Sequence, residues 1–156
     1  MMRLQLLWLA AMTSSSGAGA IDIDGRYSLD ADTAVHAESS AGTFDRTVSS
    51  TIDVSVSHGD KSVTLDVHHD AYVCRIQGSL SGSTVTFPEG QKCPQSIKES
   101  GFRAELDGTL ASGVATFSGT TLKLTTKWDV RGTVKIGPLA IPVSGTLLTT
   151  AAGARN

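Results

Sequence analysis

Residues 51–70 read TIDVSVSHGDKSVTLDVHHD, and this stretch decides the fold. On either side of Gly59-Asp60, apolar and polar side chains alternate with a period of two, the period of a strand with one buried face. A Gly-Asp pair between two such runs signals a hairpin, and Gly in the first central place suits a type II′ turn. That register opposes His58 with Lys61, Val56 with Val63, Val54 with Leu65 and Ile52 with Val67. All three inner pairs are apolar. The other face carries Asp53 with Asp66, Ser55 with Thr64 and Ser57 with Ser62. Turn and pattern agree on one register, so an antiparallel hairpin is expected here.

The same alternation spreads outward. Residues 121–131 place Leu122, Leu124, Thr126, Trp128 and Val130 on one face and Lys123, Thr125, Lys127, Asp129 and Arg131 on the other, which predicts a long half-buried strand. Residues 132–136 and 141–150 read as the last two strands, joined around Gly137-Pro138, with Pro142 where a missing donor costs least. Upstream, residues 25–35 read as a strand. Residues 36–45 are small and polar enough for a loop into which Phe44 turns inward, and residues 88–100 have a loop composition. Residues 78–87 and 108–117 resemble each other, and both read as a strand ending at Leu, a small-residue turn and a returning strand with a Phe.

No stretch after residue 20 carries the periodicity of an amphipathic helix. The expected fold is all-β, a single antiparallel domain of about eight to ten strands, which must close or fold over to bury one face. Short successive turns favour a closed or nearly closed meander barrel, which leaves no exposed edge. A two-sheet β-sandwich is the alternative.

Composition narrows the function classes. The chain has 156 residues, 18% of them charged, and a net charge of -2, too short and too balanced for a multidomain or disordered chain. Beyond Arg3, its basic side chains are scattered from Arg26 to Arg155. A dispersed set does not draw in a phosphate backbone as a patch does, so no nucleic-acid partner is expected.

The N-terminus opens Met1-Met2-Arg3, runs apolar over residues 4–12 and reaches Ala18-Gly19-Ala20. A positive end, a short apolar stretch and a small-residue site read as a signal peptide over residues 1–20. The β domain then takes residues 21–150, and residues 151–156 read as a frayed C-terminal tail. The apolar stretch is too short to cross a bilayer, so the mature chain is expected not to span a membrane. Export to the periplasm or the extracellular space implies an oxidising compartment. There the only two cysteines, Cys74 and Cys93, are expected to form one disulfide.

Chemistry-bearing motifs are scarce. His36, His58, His68 and His69-Asp70 do not share the spacing of a metal site, and no metal or other cofactor is expected. The acids of Asp22-x-Asp24-Gly25 and Asp30-x-Asp32 lack the closing Glu of a calcium loop. GxSxG, HExxH and a glycine-rich phosphate loop are missing, so no catalytic residue is assigned and enzymatic activity is not the favoured reading.

A small barrel can instead fill its interior with side chains or leave room for one ligand. The expected pocket lining is Val54, Val56, Val63, Leu65, Leu80, Val85, Phe87, Leu110, Phe117, Leu122, Leu124 and Trp128, with Ile52 and Val67 on the same face. Two functions stay open. One is passive binding of a small apolar molecule inside the domain. The other is a structural or protein-interaction module whose partner is an envelope or extracellular protein. A concave apolar interior favours the first, and a contiguous apolar outer patch favours the second.

Overall fold

Alternation over long stretches of sequence becomes nine antiparallel strands in the computed structural model, which describes residues 22–68 and 73–156. They are β1 (Gly25–Ser39), β2 (Gly42–His58), β3 (Ser62–His68), β4 (Val73–Ser81), β5 (Thr84–Phe87), β6 (Lys92–Glu99), β7 (Phe102–Ser118), β8 (Thr121–Ile136) and β9 (Leu139–Arg155). The expected signal peptide lies outside the described residues.

The strands form a single all-β domain, a meander sheet in the order β5-β4-β3-β2-β1-β9-β8-β7-β6. In addition, β7 pairs with β5 from Thr84↔Thr116 to Phe87↔Gly113, which curls the sheet into a near-barrel. β7 thus offers one edge to two strands in turn: its first half pairs with β6 and its second half with β5.

The hairpin of residues 51–70 forms with a different register. Val56 faces Leu65, Val54 faces Val67 and His58 faces Val63, two residues away from the tight-turn pairing. Gly59 does not adopt the positive φ that a type II′ turn demands, and its N–H donates instead to the Ser62 carbonyl at 2.9 Å. Asp24, from outside the hairpin, accepts the His58 backbone N–H at 2.9 Å and contacts its ring Nδ1 at 2.7 Å. The observed register also separates two like charges. Asp53 now faces His68, while Asp66 meets Arg75 of β4 in a two-pronged ion pair of 2.7 and 3.1 Å. A shift of two residues preserves the faces, so Ile52, Val54, Val56, Val63, Leu65 and Val67 are all buried.

Five further expectations change. Residues 132–136, expected as a separate strand, continue β8 from Thr121 to Ile136. Residues 36–45 are a continuous hairpin of β1 and β2, paired from His36↔Asp45 to Ser39↔Gly42, rather than a loop. Residues 92–99 are the edge strand β6, where Pro94 is tolerated because one side of the strand needs no donor. The apparent repeat does not hold at its second copy. Residues 78–87 are the hairpin of β4 and β5, turning at Gly82 with φ 62°, but residues 108–117 run straight through β7, with Ala111 extruded as a bulge. The expected C-terminal tail is the end of β9, paired with β1 through Tyr27↔Arg155 and with β8 through Thr121↔Ala154.

Core side chains lie in rows across β1, β9, β8 and β7, set by the ladder. At the end near the chain termini, Leu29, Leu122 and Phe117 form one row, with Gly153 between the first two. Gly153 has no alternative there, since a Cβ would overlap the Ser28 carbonyl oxygen. Tyr27, fully buried, closes this end by donating its hydroxyl to the Ile23 carbonyl at 2.9 Å and by meeting Phe117 edge-on at 5.8 Å. At the opposite end of the long strands, Phe44 and Phe102 meet edge-on at 5.2 Å, with the Arg46 guanidinium over the Phe102 ring.

Candidate functional site

Between those two aromatic ends the rows become small. Ala31, Ala151 and Ala115 flank Leu124 in one, and Thr33, Thr149, Thr126 and Gly113 make up the next. Bulk returns only with Val35, Leu147, Trp128 and Leu110. Two successive rows of small side chains cannot reach the opposite wall. The result is a cavity of about 240 Å³, lined on one side by Ala31, Thr33, Leu124, Thr126, Trp128, Leu147 and Thr149. Val67, Cys74 and Ile76 of β3 and β4, and residues 95–98 of β6, line the other side.

The topology leaves this cavity a mouth. Among the described residues, β2 pairs with β3 only over Asp53–His58, and β6 pairs only with β7. The outer edges of both strands therefore lack a ladder. Ser50 and Thr51 of β2 and Lys98 of β6 line the cavity and are exposed, so it reaches solvent between these edges.

Two links span the seam between β4 and β6. The Cys74–Cys93 disulfide joins the strands with a Cα–Cα distance of 5.5 Å, and Cys74 itself lines the cavity. Beside it, the Gln91 side-chain amide imitates a neighbouring strand. Its Nε2 donates to the Gln77 carbonyl, and its Oε1 accepts the Gln77 N–H, both at 2.8 Å.

On the β1–β9–β8 wall the polar groups of the cavity are the threonine row, and Ser50, Thr51, His68, Gln95, Ser96 and Lys98 add polar groups from β2, β3 and β6. Thr33 and Thr149 hydroxyls share a hydrogen bond of 2.9 Å. Thr126 is the one buried polar side chain among the described residues, at 5% exposure, and its hydroxyl meets no hydrogen-bonding partner among them. At the rim, Ser55 Oγ and His68 Nε2 lie 3.1 Å apart.

Of the lining expected from sequence, the cavity takes Leu124 and Trp128, together with Ile52 and Val67. Val54, Val56, Val63, Leu65, Val85, Phe87, Leu110, Phe117 and Leu122 are buried in the packed core, and Leu80 packs against it. They are side chains that pack against one another in the hydrophobic cluster. Ala31, Thr33, Thr126 and Thr149 were not among the lining expected from sequence. The signal that marks them is smallness at inward positions, visible only once the β1–β9 and β8–β9 registers are known.

The titratable groups with shifted pKa values stand outside the cavity lining. His36 contacts Asp45, which raises its pKa through that hydrogen bond and the added charge. Asp66 is held below the usual carboxylate range by its hydrogen bonds from Arg75. Burial raises the Tyr27 phenol. Among the described residues no three His, Cys, Asp or Glu side chains gather as metal ligands. His69 and Asp70 lie outside those residues.

No family model and no curated protein matches this chain. Among solved structures it is similar to a Nitrosomonas europaea protein solved under the provisional name AttH, with 11% identity and a TM-score of 0.37, over 98% of this chain and 59% of that one. The chain therefore spans less than two thirds of that protein's length. It is also similar to the ywiB protein of Bacillus subtilis, with 11% identity and a TM-score of 0.35, over 84% of this chain and 94% of that one.

Proposed function

We propose that this chain is an exported binding protein that holds one small, mainly apolar molecule in the cavity behind β2 and β6, within a barrel closed through the β5–β7 ladder. The observation that carries the reading is an open-mouthed interior cavity of about 240 Å³ whose walls include Ile52, Ile76, Leu124, Trp128 and Leu147. The disulfide supports the exported compartment, because such bonds persist where the surroundings are oxidising.

Size limits the occupant. At about 30 Å³ per water in the liquid, the cavity matches roughly eight waters, hence a molecule of about ten non-hydrogen atoms. That lies just below the range of drug-sized pockets. A ring-sized molecule buries roughly 200 Å², worth about 5 kcal/mol at about 25 cal/mol per Å². Binding is then high-micromolar to millimolar, suited to carriage or sensing of an abundant molecule rather than to tight capture.

Native mass spectrometry of the purified protein, compared with its denatured mass, tests the reading. The expected result is a reproducible extra mass in the native spectrum, or uptake of small ring compounds when they are added. Ala31→Phe, which fills the cavity from β1, is expected to abolish uptake while the far-ultraviolet circular dichroism stays that of the parent. A bare parent protein that takes up no ring compound overturns the proposal.

A further inference from the structure

We propose that the cavity selects neutral molecules carrying a carbonyl group, and that Thr126 is the residue that reads it. The inference rests on the carriage reading above and adds the chemical class of the ligand.

A hydroxyl is at once a donor and an acceptor, and a buried one is normally paired. Thr126 is 95% buried by its 5% exposure, lines the cavity, and has no partner among the described residues. Its neighbours in the row account for only part of their own capacity. In the Thr33–Thr149 pair one hydroxyl donates to the other, so the accepting hydroxyl keeps its own hydrogen free. The ladder sets Thr149 directly between Thr33 and Thr126. Either hydroxyl of that pair can donate; with Thr33 as the donor, Thr149 keeps its hydrogen beside the unspent O–H of Thr126, and a carbonyl oxygen, with two lone pairs and no hydrogen, is the group that uses both.

Charge separates this ligand from a carboxylate. No cationic side chain belongs to the threonine row. Lys98, the one Lys or Arg among the described lining residues, stands on β6 at the opposite wall and is exposed. An ionised group against Thr126 would be buried without a counter-charge, which is strongly unfavourable. The rows that flank the threonines are apolar, Leu124 on one side and Trp128 and Leu147 on the other, while Ser50, Thr51, His68, Gln95, Ser96 and Lys98 line the cavity from β2, β3 and β6. The ligand is thus a compact hydrocarbon frame with one carbonyl at its inner end.

Indane and indanone provide matched probes of suitable size, followed by amide chemical-shift titration of the full chain. Thr126→Val keeps the shape and removes the hydroxyl, and Thr126→Ser keeps the hydroxyl. The expected result is that Thr126→Val weakens indanone by about 5-fold, the scale of one neutral hydrogen bond, leaves indane unchanged or tighter, and does not lower the melting temperature. Thr126→Ser is expected to retain the indanone affinity within about 2-fold. If both probes bind the parent and Thr126→Val changes them equally, the carbonyl assignment is overturned while carriage stands. If neither probe binds the parent, both readings fall.

Discussion

Replacing Cys74 and Cys93 together by alanine probes the seam of the near-barrel. The ladders leave β4 joined to β5 only at Ser79–Ser81, and leave β6 joined to β7 alone, so the disulfide and the Gln91 amide carry the β4–β6 junction. The bond closes a loop with a sequence separation of 19. In the chain-entropy model such a loop removes about 11 cal/mol/K from the unfolded ensemble, or about 3 kcal/mol at 25 °C. For a chain of this length that lowers the melting temperature by roughly 6–12 °C. Urea titration followed by circular dichroism is the assay, run on the variant, the oxidised parent and the reduced parent. The variant and the reduced parent should coincide, both with a denaturant slope at least as steep as that of the oxidised parent, because the unfolded chain without the cross-link is more expanded. A loss below about 1 kcal/mol would refute the reasoning, since it would mean that other contacts hold the seam.

Further outcomes follow from single contacts. Gly153→Ala forces a Cβ into the Ser28 carbonyl and should cost about 2–3 kcal/mol or disrupt the β1–β9 ladder; an unchanged urea midpoint would contradict the close approach. Tyr27→Phe leaves the Ile23 carbonyl without its 2.9 Å partner and should cost about 1–3 kcal/mol by the same titration. Asp66 has a lowered folded pKa, so its stabilisation is complete above the ordinary carboxylate value of about 4 and is lost as pH falls through the folded value. Stability of Asp66→Asn should therefore change less than that of the parent on acidification, and equal slopes would count against the Arg75 pairing. His36 has a raised folded pKa, so its stabilisation is complete below about 6.5 and is lost as pH rises through the folded value. His36→Gln should remove that alkaline-side loss.

Strand faces were legible in the sequence because the side-chain period of two survives an error of two residues in register. Val54 and Leu65 were assigned to the buried face although they do not oppose each other. Register was less legible, since it depends on Asp24 reaching His58 from outside the hairpin and on β4 supplying Arg75 to Asp66. Residues 36–45 hid their strand character for a physical reason. Their inward positions hold Ala37, Ser39 and Phe44, of which only Ala37 is buried, so too little of an apolar face is written there. The cavity was the least legible feature. Ala31, Thr126 and Thr149 each look like a weak strand position alone, and they become one wall only through pairings between strands far apart in the chain.

The pairing of β1 with β9 also shapes how the molecule is made. These are the first and last strands of the meander, yet they share a ladder from Tyr27↔Arg155 to Glu38↔Ser144. Every other partner of β1 or β9 is its neighbour in sequence and can zip up as a local hairpin. The β1–β9 ladder closes the longest loop and is among the slowest contacts to form. Until β9 has emerged from the ribosome, β1 presents an open edge and the threonine row is split between separate pieces of chain. The interior wall therefore comes into being in one late event, and a nascent chain has no cavity to fill before it.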